Sequence, residues 1–164
     1  MTDSTLSDPR RLEDLLLYRL ARLLAAGSVP VVRLCECEWG ITRREWRVLA
    51  VLVRSEGCLS SSLAEAAGLD RTRTSRAVTR LADKGLVRRE PRAGNRREVA
   101  LFLTERGRKA HDELLPGIAA INRELVGALD ADALRQLDGA LARLQTQAEQ
   151  LRAGHMQKAR TRRA

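Results

Sequence analysis

Histidine is nearly absent from this chain: His111 and His155 are the only two in 164 residues. That scarcity leaves no nucleophile–base pair and no set of metal ligands. No glycine-rich phosphate loop is present either, since Gly94 stands alone, so neither catalysis nor a cofactor is expected. Cysteine is scarce and odd in number, at Cys35, Cys37 and Cys58. A disulfide framework is not expected on that count, and Cys35-x-Cys37 lacks the second pair that a zinc site needs. Buried, inert thiols are the plain reading. No apolar run approaches the length of a membrane span, and Met1–Arg10 is polar rather than signal-like. The cytoplasm is the default location. Lysine is rare too, three against 27 arginines, a bias that genomic base composition alone can produce.

Positive charge, by contrast, is plentiful and concentrated. The formal net charge is +9. Residues 1–69 are balanced, with nine basic and nine acidic side chains, and residues 110–164 carry a net +1. Residues 70–109 hold thirteen basic against five acidic, a net +8. Clustering of this kind is the footprint of a surface that meets a polyanion.

Local signals divide the chain. Asp8-Pro9 reads as a helix cap followed by proline at the first turn. Leu12, Leu15, Leu16, Leu20, Leu23 and Leu24 then recur at helical spacing until Gly27 and Pro30 interrupt them. Val29–Gly40 reads as the end of that helix plus a loop. Thr42 and Glu45 form a capping box, flanked by Ile41 and Trp46 at the staple positions. Ser60–Ser62 offer caps for a short helix stopped by Gly68, and Asp70 caps another from Arg71 to Lys84, ended by Gly85. Two short helices around a glycine-containing turn are the helix-turn-helix signature. Leu86–Glu90 and Glu98–Leu103 read as strands joined by an arginine-studded Gly/Asn loop, a β-hairpin wing. Beyond Thr104, Leu114, Ile118, Ile121, Leu125 and Leu129 mark one long helix, with a possible kink at Pro116-Gly117. Leu134, Leu137, Leu141, Leu144, Ala148 and Leu151 mark a last helix with a coiled-coil-like seam.

The fold expected is mainly α with a small β-hairpin wing: a winged helix-turn-helix core flanked by N- and C-terminal dimerisation helices. The division is 1–8 flexible, 9–40 N-terminal dimerisation helix and loop, 41–109 DNA-binding domain, 110–153 C-terminal dimerisation helices and 154–164 a basic, disordered tail. The terminal helices carry more leucine than a winged domain can cover, so Leu12, Leu16, Leu134, Leu137, Leu141 and Leu144 are expected to bury against a second copy in a two-fold homodimer. An intramolecular bundle is the alternative. A dimer would set two recognition helices about 34 Å apart in successive major grooves of double-stranded DNA. Arg71, Thr72, Arg73, Thr74, Ser75 and Arg76 stand at the end of such a helix that meets base edges, and arginine pairs bidentately with guanine. Arg80 is better placed for phosphate. Arg92, Arg96 and Arg97 surround the wing tip, where arginine can enter a narrow minor groove.

These residues resemble the MarR family of bacterial regulators, over about residues 10–152. The resemblance is carried by Leu63-Ala64-Glu65, Gly68-Leu69, Thr74-Ser75-Arg76, Leu81, Lys84-Gly85-Leu86-Val87 and Asn95-Arg96-Arg97 followed by Val99, Leu103-Thr104 and Gly107. The family's wing motif is Asp-x-Arg, then Val-x-Leu-Thr-x-x-Gly. Arg97 falls on its wing arginine and Arg76 on its recognition-helix arginine, while Asn95 stands where the family has Asp. The resemblance implies a repressor that a small molecule, often a phenol or aromatic carboxylate, releases from DNA by binding between the dimerisation helices and the winged domain. Tyr18, Arg19, Arg22, Arg33, Trp39, Trp46 and His111 are the candidate lining, with Trp46 also readable as core and Trp39 as a loop residue. Other members sense oxidants through a cysteine in the first helix. This chain has none before Cys35, which counts against that subtype. Cys35 and Cys37 keep a redox regulator as an alternative, and a non-specific architectural DNA-binding protein is another.

Overall fold

The computed structural model describes residues 5–92 and 95–161, the side chains of 95–97 and 156–161 excepted. The chain divides into two compact units, Met1–Ile121 and Asn122–Ala164. In the first, a single 3-10 turn (Leu12–Asp14) precedes α1 (Leu16–Gly27) and α2 (Val29–Trp39). Asp8 is not the cap that Asp8-Pro9 suggested. It pairs with Arg10 at 2.9 Å, and the local acceptor is Asp14, whose carboxylate takes the N–H groups of Arg10 and Arg11 at 3.1 Å each. The Arg10 amide bond holds the Asp14 carboxyl below its ordinary value.

Pro30 does not stop the helix as its position suggested. It stands in the first turn of α2, where its missing N–H breaks nothing within that helix. Val29–Trp39 is therefore an eleven-residue helix of its own rather than the end of the first helix plus a loop. Gly40, at φ +60°, closes it: Ile41 N–H reaches the Cys35 carbonyl and Gly40 N–H the Glu36 carbonyl, both at 3.1 Å. The Thr42–Glu45 capping box then starts α3 (Arg43–Leu52) as the spacing requires.

A two-residue strand β1 (Cys58–Leu59), absent from the sequence reading, leads into α4 (Ser60–Ala66), whose cap is Leu59 rather than a serine of the 60–62 run. Gly68, at φ +61°, turns the chain toward Asp70, whose carboxylate accepts the Arg73 N–H at 2.7 Å to start α5 (Arg71–Asp83). Strands β2 (Val87–Arg92) and β3 (Asn95–Leu103) form the wing. The sheet order is β1-β3-β2, antiparallel throughout, with Cys58 opposite Leu101 and Val87 opposite Leu103. Thr104 Oγ1 accepts the Gly107 N–H and opens α6 (Glu105–Val126), which carries Pro116 without interruption.

One core fills the first unit. Ile41, Leu49, Leu52, Leu63, Val78, Leu81, Leu86, Leu101, Leu103 and Leu114 are all buried in it, and Trp46 is too. In the second unit α7 (Ala131–Thr161) has no buried residue among those described, and Leu137, Leu141, Leu144 and Leu151 are exposed. Leu134 is half-buried. The helix extends to Thr161, so the stretch from Gly154, expected to be disordered, is helical as far as it is described. No helix among the described residues is long and apolar enough to cross a membrane.

Candidate nucleic-acid interface

Helix α5 sorts its residues by a plain periodicity. Thr74, Ala77, Val78 and Leu81 are buried, and Arg71, Thr72, Arg73, Ser75, Arg76, Thr79 and Arg80 are exposed. The apolar stripe anchors the helix on α3 and α4, leaving the arginine face to solvent. Thr74 corrects the sequence reading, which set it among the DNA contacts. It is fully buried, and its hydroxyl donates to the Asp70 carbonyl at 3.0 Å. Its spacing of three and four from Ala77 and Val78 is the signal that would have placed it inward.

The exposed arginines differ in their freedom. Arg73 pairs with its own cap, Asp70, at 3.0 Å. Arg80 lies 3.9 Å from Glu45. Arg71 and Arg76 have no ion pair among the described residues, so each guanidinium keeps its full donor set for an outside acceptor. On the wing, Arg92 pairs with Glu98 at 2.8 Å. The side chains of Arg96 and Arg97 lie outside the described residues. Two further arginines join the same module. Arg89 of β2 donates to Thr79 of α5 at 2.7 Å, stitching the wing to the helix. Arg88 pairs with Glu90 and stands over the Phe102 ring at 4.6 Å. Their position on a strand next to the helix is visible only once the two elements are folded together.

The seven residues expected to line an effector crevice are not gathered into one. Arg19, on α1, donates to the Glu13 carbonyl at 2.6 Å and to Thr5 at 2.8 Å. Tyr18 and Arg22 are also on α1, half-buried and exposed respectively. Trp39 is the last residue of α2, not a loop residue, and packs against the core. Trp46 is core, stacked on His111 with ring centroids 5.3 Å apart. Arg33 lines an open cavity of about 410 Å³. Its other walls are Val29, Pro30, Leu34, Cys37 and Glu38 of α2 and Ile121 of α6. That is an apolar trough with one cation, one acid and one thiol at its edge, a donor set that suits a small organic anion.

The three thiols differ. Cys35 is buried, and burial raises its pKa, with the Glu36 charge adding and Arg43 opposing. Cys58 is half-buried, and Cys37 is exposed. Among the described residues no three of His, Cys, Asp and Glu gather in a way that could hold a metal ion.

Comparison with known proteins converges on one family. Residues 39–98, from the end of α2 through most of the wing, match the family model described as MarR family. The HTH-type transcriptional regulator YybA of Bacillus subtilis is 28% identical, covering 54% of this chain and 67% of the relative. The transcriptional regulator HosA of Escherichia coli is 27% identical, covering 56% and 68%. Among solved structures, the PcaV transcriptional regulator of Streptomyces coelicolor in complex with its natural ligand superimposes with a TM-score of 0.72 at 26% identity, over 84% of this chain and 96% of that one. A MarR transcriptional regulator from Methanosarcina mazei gives 0.73 at 24% identity, over 81% and 95%, a likeness of fold. Matched motif, helix order and three-stranded wing agree: residues 39–98 match the MarR family, and the chain as a whole is similar in fold to winged helix-turn-helix transcriptional regulators of that family.

Proposed function

We propose that the protein is a ligand-responsive repressor that binds a near-palindromic operator as a homodimer and leaves it when a small aromatic acid or phenol binds. The observation that carries the reading is the split face of α5: a buried stripe fixes the helix, and Arg71, Thr72, Ser75 and Arg76 stand free on the other side. Arg76 reads a base edge in the major groove. Arg80 and Arg89 serve phosphates, and Arg97 enters the minor groove. The exposed leucines of α1 and α7 supply the apolar surface that a second copy would cover. A two-fold pair then matches half-sites one helical turn apart. PcaV, a neighbour of the same fold solved with its natural ligand, supports an effector. Here the cavity beside Arg33 is the place for its carboxylate. A ligand that favours one spacing of the two recognition helices over another shifts the DNA-binding equilibrium by its differential affinity.

Fluorescence anisotropy against the DNA upstream of the protein's own gene tests the reading, with shuffled DNA as competitor, a salt series and a panel of aromatic acids. Competitor-resistant binding with a steep salt slope, released by one acid, is the expected result. Equal binding to the shuffled duplex would instead make the protein an architectural one. A second reading, an oxidant sensor, rests on Cys37, exposed at the cavity wall. Oxidant-driven release that survives Cys37→Ala removes it.

A further inference from the structure

The C-terminal end of the recognition helix is tied to two other helices through one lysine. Lys84, at the C-cap of α5, donates from Nζ to the Gly40 carbonyl at 2.7 Å and to Glu45 Oε2 at 2.9 Å. Gly40 is the left-handed residue that closes α2, and Glu45 is the third residue of α3. The same Oε2 accepts the Thr42 N–H at 2.9 Å, so the carboxylate that caps α3 also holds the lysine. The Lys84 backbone carbonyl in turn accepts from Arg106 of α6 at 3.2 Å. Four helices therefore meet at one side chain and its own backbone.

Glu45 is 1% exposed, and its other oxygen, Oε1, has no hydrogen-bond partner among the described residues. Arg80 of α5 lies 3.9 Å from that oxygen. A carboxylate this deeply buried loses most of its hydration, so it depends on the lysine that α5 brings within hydrogen-bond reach. The geometry of α5 relative to α2 and α3 is thereby fixed at this end, opposite to the end that carries Arg71–Arg76. The leverage is large. About twelve residues at 1.5 Å each separate the two ends, and a tilt of roughly 5° at Lys84 would displace the arginine end by about 1.5 Å. That is enough to break a bidentate hydrogen bond to a base.

We infer that Lys84 is a positioning residue for DNA recognition. It holds the recognition helix at its working angle by clamping it to Glu45 and to the end of α2. The inference rests on the reading of α5 as the DNA-recognition element. It differs from the simpler idea that a lysine in a basic module touches phosphate. A phosphate contact contributes equally to every sequence and to the salt dependence, whereas a positioning contact contributes to discrimination alone.

The full-length chain with Lys84→Met, Lys84→Arg, Glu45→Gln and the Lys84→Met/Glu45→Gln pair separates the two. The probe is a duplex that the parent protein selects from a random-sequence pool, compared with the unselected pool across a salt series. Melting curves establish that each variant is folded at the assay temperature. Glu45→Gln keeps the capping box, which accepts glutamine, so it remains informative should Lys84→Met fold poorly. Lys84→Met and Glu45→Gln are expected to weaken binding to the selected duplex by about tenfold, with little change on the pool and an unchanged salt slope. The double variant should be no weaker than the worse single one, and Lys84→Arg should recover most of the loss. Equal losses on both duplexes with the slope reduced by about one would make Lys84 a phosphate contact and overturn the proposal. Full affinity in folded Lys84→Met and Glu45→Gln would overturn it as well. A parent protein that selects no duplex at all would show itself before any variant is compared, and would strike the DNA-recognition reading instead.

Discussion

Trp46 of α3 and His111 of α6 stack nearly face to face, their centroids 5.3 Å apart and their planes 18° from parallel. The pair joins the first helix of the winged module to the helix that leaves it. It also uses two residues that the sequence alone offered as effector lining for packing instead. His111→Ala should cost about 0.5–1.5 kcal/mol of stability, the range of a ring pair. Chemical denaturation followed by tryptophan fluorescence measures it. An unchanged midpoint would mean that the stack contributes no net stability.

Gly107 lies so close to Leu86 that a Cβ there would overlap the Leu86 carbonyl oxygen, with the Leu103 side chain beyond it at 3.3 Å. Leu86 O also accepts the Thr104 N–H at 3.2 Å. The first turn of α6 thus presses on the turn between α5 and β2 at backbone level, where nothing soft can yield. Gly107→Ala should destabilise the fold by about 1–3 kcal/mol, read as a lower melting temperature.

Glu56 fastens the base of the wing. Its Oε1 accepts the Leu103 N–H at 2.8 Å, and its Oε2 accepts from Arg108 at 2.5 Å. Burial pushes its pKa up, but these bonds and the Arg108 charge outweigh it and hold the carboxyl below its ordinary value. A group whose pKa is lower in the folded state binds its proton more readily when unfolded. Its stabilisation is therefore complete above the unfolded value of about 4.3 and disappears as pH falls through the folded value. Glu56→Gln should cost about 1–2 kcal/mol near neutrality and converge with the parent in acid. Stability curves that stay parallel down to low pH would sink the assignment.

Where one short stretch of chain decides the structure, the sequence reading and the structure agree. Thr42 and Glu45 are three residues apart and meet in one helical turn. Asp70 caps the helix that begins next to it, and Gly68 sits in the turn before it. Strand β1 escaped because Cys58 and Leu59 are too few to alternate, and they are extended only because β3 offers an edge to pair with. Pro30 misled because proline breaks a helix interior but fits a first turn, and one sequence contains both possibilities. Lys84 and Glu45 are 39 residues apart, and no local pattern announces that they touch. The cavity fails to be legible for the same reason: Ile121 reaches α2 only through the folded core.

The freedom of the α5 arginines makes a graded prediction. Arg76→Ala should weaken binding to a selected duplex by about 1–3 kcal/mol and relax its sequence preference. Arg80→Ala should weaken selected and random duplexes alike and reduce the salt slope by about one. Thr74→Val, at a site with no exposed surface, should lower the melting temperature through the lost bond to Asp70 while leaving discrimination intact. Anisotropy titrations at several salt concentrations distinguish the three. Indistinguishable binding by Arg76→Ala and the parent would take that residue out of the reading set.

The leucine seam of α7 carries the remaining prediction. Leu137, Leu141 and Leu144 are each about two-fifths exposed, and they recur in steps of three and four, the spacing of a helix–helix seam. Stable dimers bury such surface, because fully burying a leucine is worth roughly 1.5–3 kcal/mol and the two-fifths left in water here a corresponding share of that. Under the homodimer reading, the parent sediments as twice the chain mass, and Leu141→Glu/Leu144→Glu sediments as a single chain because two carboxylates would have to desolvate at the seam. The double variant should keep the melting behaviour of the first unit, whose core includes no α7 residue. Its DNA affinity should fall steeply, since each half-site is then bound without its neighbour and the effective concentration supplied by dimerisation is lost. Two results would count against the reading: a parent that is monomeric at micromolar concentration, or a double variant that remains dimeric. The second would place the interface elsewhere, with Leu12, Leu17, Leu23 and Leu24 on and before α1 as the next exposed leucines to substitute.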